Sequence, residues 1–289
     1  MLDIWTIAGL LAKAAMYVGM LTAGGLVIVH CAFASHVRDV ASSMRSMALF
    51  CAILGAVAAF ASFTLRGAAL TGGASGLTDP EILGLLWQTP AGSALLYRLS
   101  GLGILCLGLL VGGVGWTVAL FGTGLLLWSF SIIGHVADDT AIWIELVLFL
   151  HVIVASFWIG VLMPLSRLSK RPETVAAAGD LGHKFGQIAF GAIPLLVVAG
   201  LLLSWRLVGS WSALFATGYG LMLVAKVLLV AGLLGLGALN KYRFVPRLLA
   251  DEPGAGDIFR RVLGIEWAVF FLVFGATAFL TAFFALPGG

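Results

Sequence analysis

Between Gly134 and Gly160 the chain reads GHVADDTAIWIELVLFLHVIVASFWIG, which takes two histidines, two adjacent aspartates and a glutamate into a hydrophobic run. Imidazole binds copper, iron and zinc, and carboxylates beside it favour capture of a cation, so His135, Asp138 and Asp139 read as a place where a borderline metal ion is first caught. The plainer alternative for Asp139 and Thr140 is capping of the helix that follows. His151 lies six residues after Glu145, about 9 Å deeper and about 120° round a helix, so the two do not share one ion on one face. A histidine in a lipid-embedded helix needs partners for its ring nitrogens, which favours a ligand or proton-relay role for His151. It shares a helical stripe with Trp158, one heptad on.

A second constellation precedes it. Met16 and Met20 are four residues apart and so on one helix face, and His30 lies within about 40° of the face of Met16 but roughly 21 Å further along. Thioether, imidazole and the thiol of Cys31 are donors that suit Cu(I), arranged as successive steps more than as one site. Plain packing is the alternative for the methionines. His30, Cys31, His36 and Cys51 are expected to gather at one end of the first two helices.

These side chains are costly because the elements that hold them are embedded in lipid. Of the 289 residues, 61% are hydrophobic and 10% charged, with a mean hydropathy of +1.11, whereas a soluble domain carries about 25% charged residues. A spanning helix needs roughly 20 apolar residues. Eight runs qualify, at 5–34, 46–70, 94–112, 115–133, 141–165, 184–208, 218–240 and 262–285. The expected architecture is all-α, a polytopic bundle of eight transmembrane helices forming a single domain over residues 1–289. Short breaks make spans three and four, and four and five, neighbouring antiparallel hairpins. The first run is long, contains Lys13 and lacks a basic leader, so it reads as a retained helix and not as a cleaved signal.

Lys and Arg concentrate in the loops on one side: Arg38 and Arg45; Arg167, Lys170, Arg171 and Lys184; Lys241, Arg243, Arg247, Arg260 and Arg261. Cytoplasmic loops retain such residues, which puts both termini outside. No arginine–aromatic cluster points to nucleic acid. Cys31, Cys51 and Cys106 form neither a CxxC pair nor a disulfide framework.

Charges inside the spans are functional candidates by default. Lys13 and Lys226 fall roughly 10 to 12 Å below the outer surface and Glu145 roughly 6 Å, so Glu145 is the expected counter-ion of one lysine. Glu266 is the acid inside the eighth span, in line with Thr277 and near Thr281.

The chain resembles the copper resistance protein D family over nearly its whole length. The resemblance rests on "KAAMYVGMLTAGGLVI", "TPAGSALLYRLSGLGIL", the "GH" before span five, "LHVIVASFWIGVLMPL", "FGQIAFGAIPLLVVAGLLLSW", "GYGLMLVAKVLLV" with "GALNKYRFVP", and "RRVLGIEWAV". Where the family often reads Phe-Ser, this chain has Phe185-Gly186. By position the family's motif residues fall on Lys13, Arg98, His135, His151, Trp158, Lys226, Asn240 and Glu266. The resemblance implies copper handling in the bacterial inner membrane, described as uptake from the periplasm alongside the periplasmic binder CopC.

Three functions compete. A copper transporter, carrying Cu(I) or Cu(II), would recruit at His135, bind at His151 and the methionines, and release at His30 and Cys31; it needs no catalytic residue. No Walker A stretch or aspartyl-phosphate motif marks it as ATP-driven. A membrane oxidoreductase using copper, or b-type haem with quinone, would use the buried lysines and arginine for propionates or a quinone carbonyl. A scaffold relaying copper between a periplasmic protein and a membrane partner would carry the same ligands.

Overall fold

In the computed structural model, residues 3–111, 114–132, 142–208 and 210–283 are described, and the regular elements among them are helical. The helices are α1 (Ile4–Ala32), α2 (Ala41–Thr71), α3 (Pro80–Trp87), α4 (Pro90–Leu110), α5 (Gly115–Trp128), α6 (Ile142–Leu168), α7 (Val175–Val208), α8 (Trp211–Ala216), α9 (Gly218–Leu239), α10 (Val245–Leu249) and α11 (Ala255–Phe283). A π-helical turn, Asn240–Phe244, joins α9 to α10.

Start signals are local and legible. Asp3 accepts from the Thr6 amide at 2.7 Å, and this contact with Thr6 holds its carboxyl below the ordinary carboxylate range. Asp79 and Thr89 cap α3 and α4, each followed by a proline in the first turn, where a missing N–H costs nothing. Gly72, at φ 70°, ends α2 in the left-handed region that glycine adopts freely.

Among the described residues, seven helices are long and apolar enough to span a membrane. The expected fourth span is shorter than its apolar run: α5 has 14 residues, about 21 Å, against a hydrocarbon core of about 30 Å. Beyond its end the Ser129 hydroxyl bonds the Leu126 carbonyl at 2.6 Å, and Ser131 donates to the Glu145 carbonyl at 3.0 Å, which ties the turn to α6.

Lipid offers no hydrophobic drive between helices, so close backbone contact at small residues holds them. A Cβ on Gly19 of α1 would lie 2.7 Å from the Cys51 carbonyl oxygen of α2, and one on Gly25 would lie 1.9 Å from the Ser156 carbonyl oxygen of α6. Gly101 meets Gly122, and Gly108 meets Gly115, so α4 and α5 form the expected antiparallel hairpin. The pair α5 and α6 is looser, meeting mainly through the Ser131 bond and the Trp128–Phe149 edge contact at 5.2 Å. Thus α1 is the central helix, in contact with α2, α5, α6 and α11. Its buried face joins one apolar core that extends from Met16 to Ala278.

Helices α7 and α9 lie at the periphery and expose Phe190, Val198, Leu201, Leu221 and Leu228. In a bilayer those faces meet acyl chains. The two helices approach each other at one end, where Lys241 Nζ donates to the Gly186 carbonyl at 3.1 Å and sits over the Phe190 ring. Gly186, where the family often has serine, therefore contributes its backbone oxygen.

Candidate functional site

The face of α6 that carries His151 and Trp158 turns toward α7, α9 and α11, and the polar groups of those helices collect along it. His151 Nδ1 lies 3.2 Å from the Leu196 carbonyl of α7, and its ring packs on Gly200 one turn on. A carbonyl oxygen only accepts, so Nδ1 carries the proton and Nε2 keeps its lone pair for a metal or a proton. Lys226 of α9 is within electrostatic reach of this imidazole. No hydrogen bond or ion pair to Lys226 is found among the described residues.

Two turns further along α6, Trp158 Nε1 donates to Glu266 Oε2 at 3.4 Å, and Asn240 Nδ2 donates to Glu266 Oε1. Glu266 is 1% exposed, so these donors stand in for water around a carboxylate inside the bundle. Asn240 opens the π-helical turn, and its Oδ1 is buried without a partner. Such turns interrupt the regular ladder and are frequent at functional sites. Gly237 lets the indole lie flat against α9: its Cβ would be 3.1 Å from the ring. Thus Trp158, Asn240 and Glu266 form one network across three helices, beside a His151–Lys226 pair at the α6–α7–α9 seam.

The other expected residues are distributed differently. Met16 and Met20 are buried in the helix packing, Met20 against Gly55 of α2. His30 stacks on Trp116 of α5 at 3.5 Å between centroids, its Nδ1 buried without a partner, and Cys31 Sγ donates to the Trp116 carbonyl at 3.6 Å. Cys51 does not join them: it packs beside Gly19, twelve residues or about 18 Å along α1 from Cys31, because the α1–α2 crossing lies mid-helix. His36 takes its own neighbour, Ser35, at 3.0 Å. Glu145 is half-buried and makes no ion pair with Lys13 or Lys226 among the described residues, so matching depth did not make it their counter-ion. His135, Asp138 and Asp139 lie outside the described residues. Among those described, no group of three His, Cys, Asp or Glu side chains is placed to hold a metal ion.

Lys13 turns the other way from Glu145. Its Nζ donates to the Thr281 carbonyl of α11 at 3.0 Å, and it is within electrostatic reach of Arg66 and Arg98. Arg98 is buried on α4 with its Cζ 5.4 Å above the Phe130 ring. Sequence reasoning singled out Lys13 and Arg98 but missed Arg66 and Tyr17, which complete this group. The available signal was depth: all four fall within about four turns of the helix ends on one side of the bundle.

Long apolar helices with polar and charged residues gathered between them define a multi-pass membrane protein, consistent with the bacterial inner membrane. Residues 1–145, half of the chain, match the family model "Copper resistance protein D-like, N-terminal domain", and residues 179–280 match "Copper resistance protein D". The chain belongs to the copper resistance protein D family. It is also 31% identical over 174 residues to the "Copper transport protein CutJ" of Bacillus subtilis (strain 168), a stretch that takes in 58% of this chain and 30% of that protein. The match therefore spans under a third of the relative's length. No solved structure matches.

Proposed function

We propose that this chain moves copper across the bacterial cytoplasmic membrane, from periplasm to cytoplasm, acting as one eight-span unit of residues 1–289 with both termini on the periplasmic side. Membership of the copper resistance protein D family and the likeness to a protein named for copper transport support the cargo. The concentration of Lys and Arg in the loops at the far end supports the orientation. The observation that carries the reading is the His151 tautomer, since the bond to Leu196 leaves Nε2 unprotonated inside the bundle.

In this reading His135 with Asp138 and Asp139 accepts copper from a periplasmic carrier such as CopC, and His151 binds it within the membrane. Asn240 and Glu266 offer the next oxygens, and His30 with Cys31 stands at the release end. The thioethers of Met16 and Met20 would reach the ion only with α1 and α2 parted. Proteoliposome uptake of copper, wild type beside His151→Ala, tests it: flux falls at least tenfold in the variant, and unchanged flux removes His151 from the path.

One observation favours a second reading, a membrane oxidoreductase using quinone or haem. Lys226 beside His151 has no partner among the described residues, and a cation repels copper but suits a quinone carbonyl or a propionate. A Soret band in the purified protein selects that reading for haem, and quinone co-purifying with the wild type but not with Lys226→Ala selects it for quinone.

A further inference from the structure

The geometry points to an oxyanion site, independent of copper, formed by Lys13, Arg66 and Arg98 and built to hold the phosphate of an anionic lipid headgroup or the same group free in solution. The three cations come from α1, α2 and α4 and are within electrostatic reach of one another. No carboxylate among the described residues pairs with any of them. Like charges close to lipid repel one another, so an anion among them would stabilise the arrangement.

The cluster is held in place by packing and hydrogen bonds and is not merely charged. Arg98 is 8% exposed, and its Nε is buried without a hydrogen-bond partner. Its guanidinium carbon lies over the Phe130 ring, and its unpaired Nε–H is the kind of donor that a planar or tetrahedral oxyanion satisfies. Phe130 packs on Tyr17 at 5.7 Å between centroids, and the Tyr17 hydroxyl lies 3.4 Å from the Thr281 hydroxyl. Thr281 in turn accepts from Lys13 through its carbonyl, which fixes that ammonium on the same wall. Arg66, the third cation, is exposed.

Depth favours a lipid source. Arg66 is about 8 Å from its helix end, and Lys13 and Arg98 about 12 to 14 Å. α1, at about 43 Å, matches a bilayer including its headgroups, so these levels lie about 2 to 7 Å inside the hydrocarbon, from where long basic side chains snorkel toward headgroup phosphates.

The test uses the full chain in two preparations. Protein from phosphatidylglycerol-containing nanodiscs is released into native mass spectrometry, and delipidated protein in neutral detergent is titrated with inorganic phosphate while its melting temperature is followed. A lipid source gives about one retained phosphatidylglycerol per wild-type chain and at least a tenfold loss of occupancy in Arg98→Gln and Arg66→Gln. A soluble source gives no retained lipid but a saturable phosphate-dependent rise in melting temperature that both variants lose. Arg66→Gln, a change at an exposed position, keeps the test valid if Arg98→Gln does not fold. Wild type that neither retains lipid nor responds to phosphate, or variants that behave as wild type does, would overturn the assignment.

Discussion

Replacing Glu266 by alanine strands two donors at once, and the size of the effect follows from the network around it. Trp158 Nε1–H and one Asn240 amide N–H both end on this carboxylate, in a site sealed from water. A buried donor left without an acceptor costs about 1–3 kcal/mol, whereas hydrogen bonds between membrane helices contribute on average about 0.6 kcal/mol and at most about 1.7. At 3.4 Å the indole bond belongs to the weaker group, and the charge-assisted Asn240 contact to the stronger. Glu266→Ala is therefore expected to destabilise the bundle by about 2–4 kcal/mol. Trp158→Phe keeps the ring packing on Phe270, 5.7 Å between centroids, and should cost about 0.5–1 kcal/mol. In the double variant no indole donor is stranded, so the two losses should fall short of their sum by about 0.5–1.5 kcal/mol. Equilibrium unfolding of all four proteins in mixed micelles, followed by circular dichroism, measures this coupling. Losses that add to within about 0.3 kcal/mol would show that Trp158 and Glu266 do not share a network.

Other consequences are equally direct. Gly25→Ala places a methyl 1.9 Å from the Ser156 carbonyl, where backbone cannot yield, and should cost about 3 kcal/mol in the same unfolding assay; Gly232→Ala, which meets nothing within 4 Å, should be neutral or slightly stabilising. Met20→Ala empties a wholly buried position between α1 and α2 and should lose about 2–5 kcal/mol, with copper binding unchanged if its role is packing. Glu145→Ala and Lys226→Ala should give additive effects on stability, since no ion pair joins them; a double variant recovering more than about 0.5 kcal/mol would restore the pairing.

Much of the architecture was legible because spanning helices are specified locally. Apolar length located the spans to within a few residues at most ends, and the short break after Leu110 made the α4–α5 hairpin unavoidable. The early stop of α5 was not legible: the apolar run continues past Trp128, while the contact of Ser131 with α6 is a tertiary one that spacing does not show. For the site, counting residues gave depth but not azimuth. Depth paired Glu145 with the lysines, yet Lys13 bonds the Thr281 carbonyl of α11, and Lys226 comes within electrostatic reach of His151. The Trp158–Glu266 contact crosses 108 residues of chain and the π-helical turn at Asn240 has no compositional mark, so neither is visible from spacing.

With Nδ1 bonded to the Leu196 carbonyl, His151 Nε2 is the proposed copper ligand inside the membrane. The direct measurement is copper content and the optical spectrum of the purified protein after equilibration with copper, wild type beside His151→Ala, with folding checked by circular dichroism. The account predicts about one copper per wild-type chain in the bundle, lost in the variant, with no Soret band in either. Equal copper in both folded proteins would contradict it.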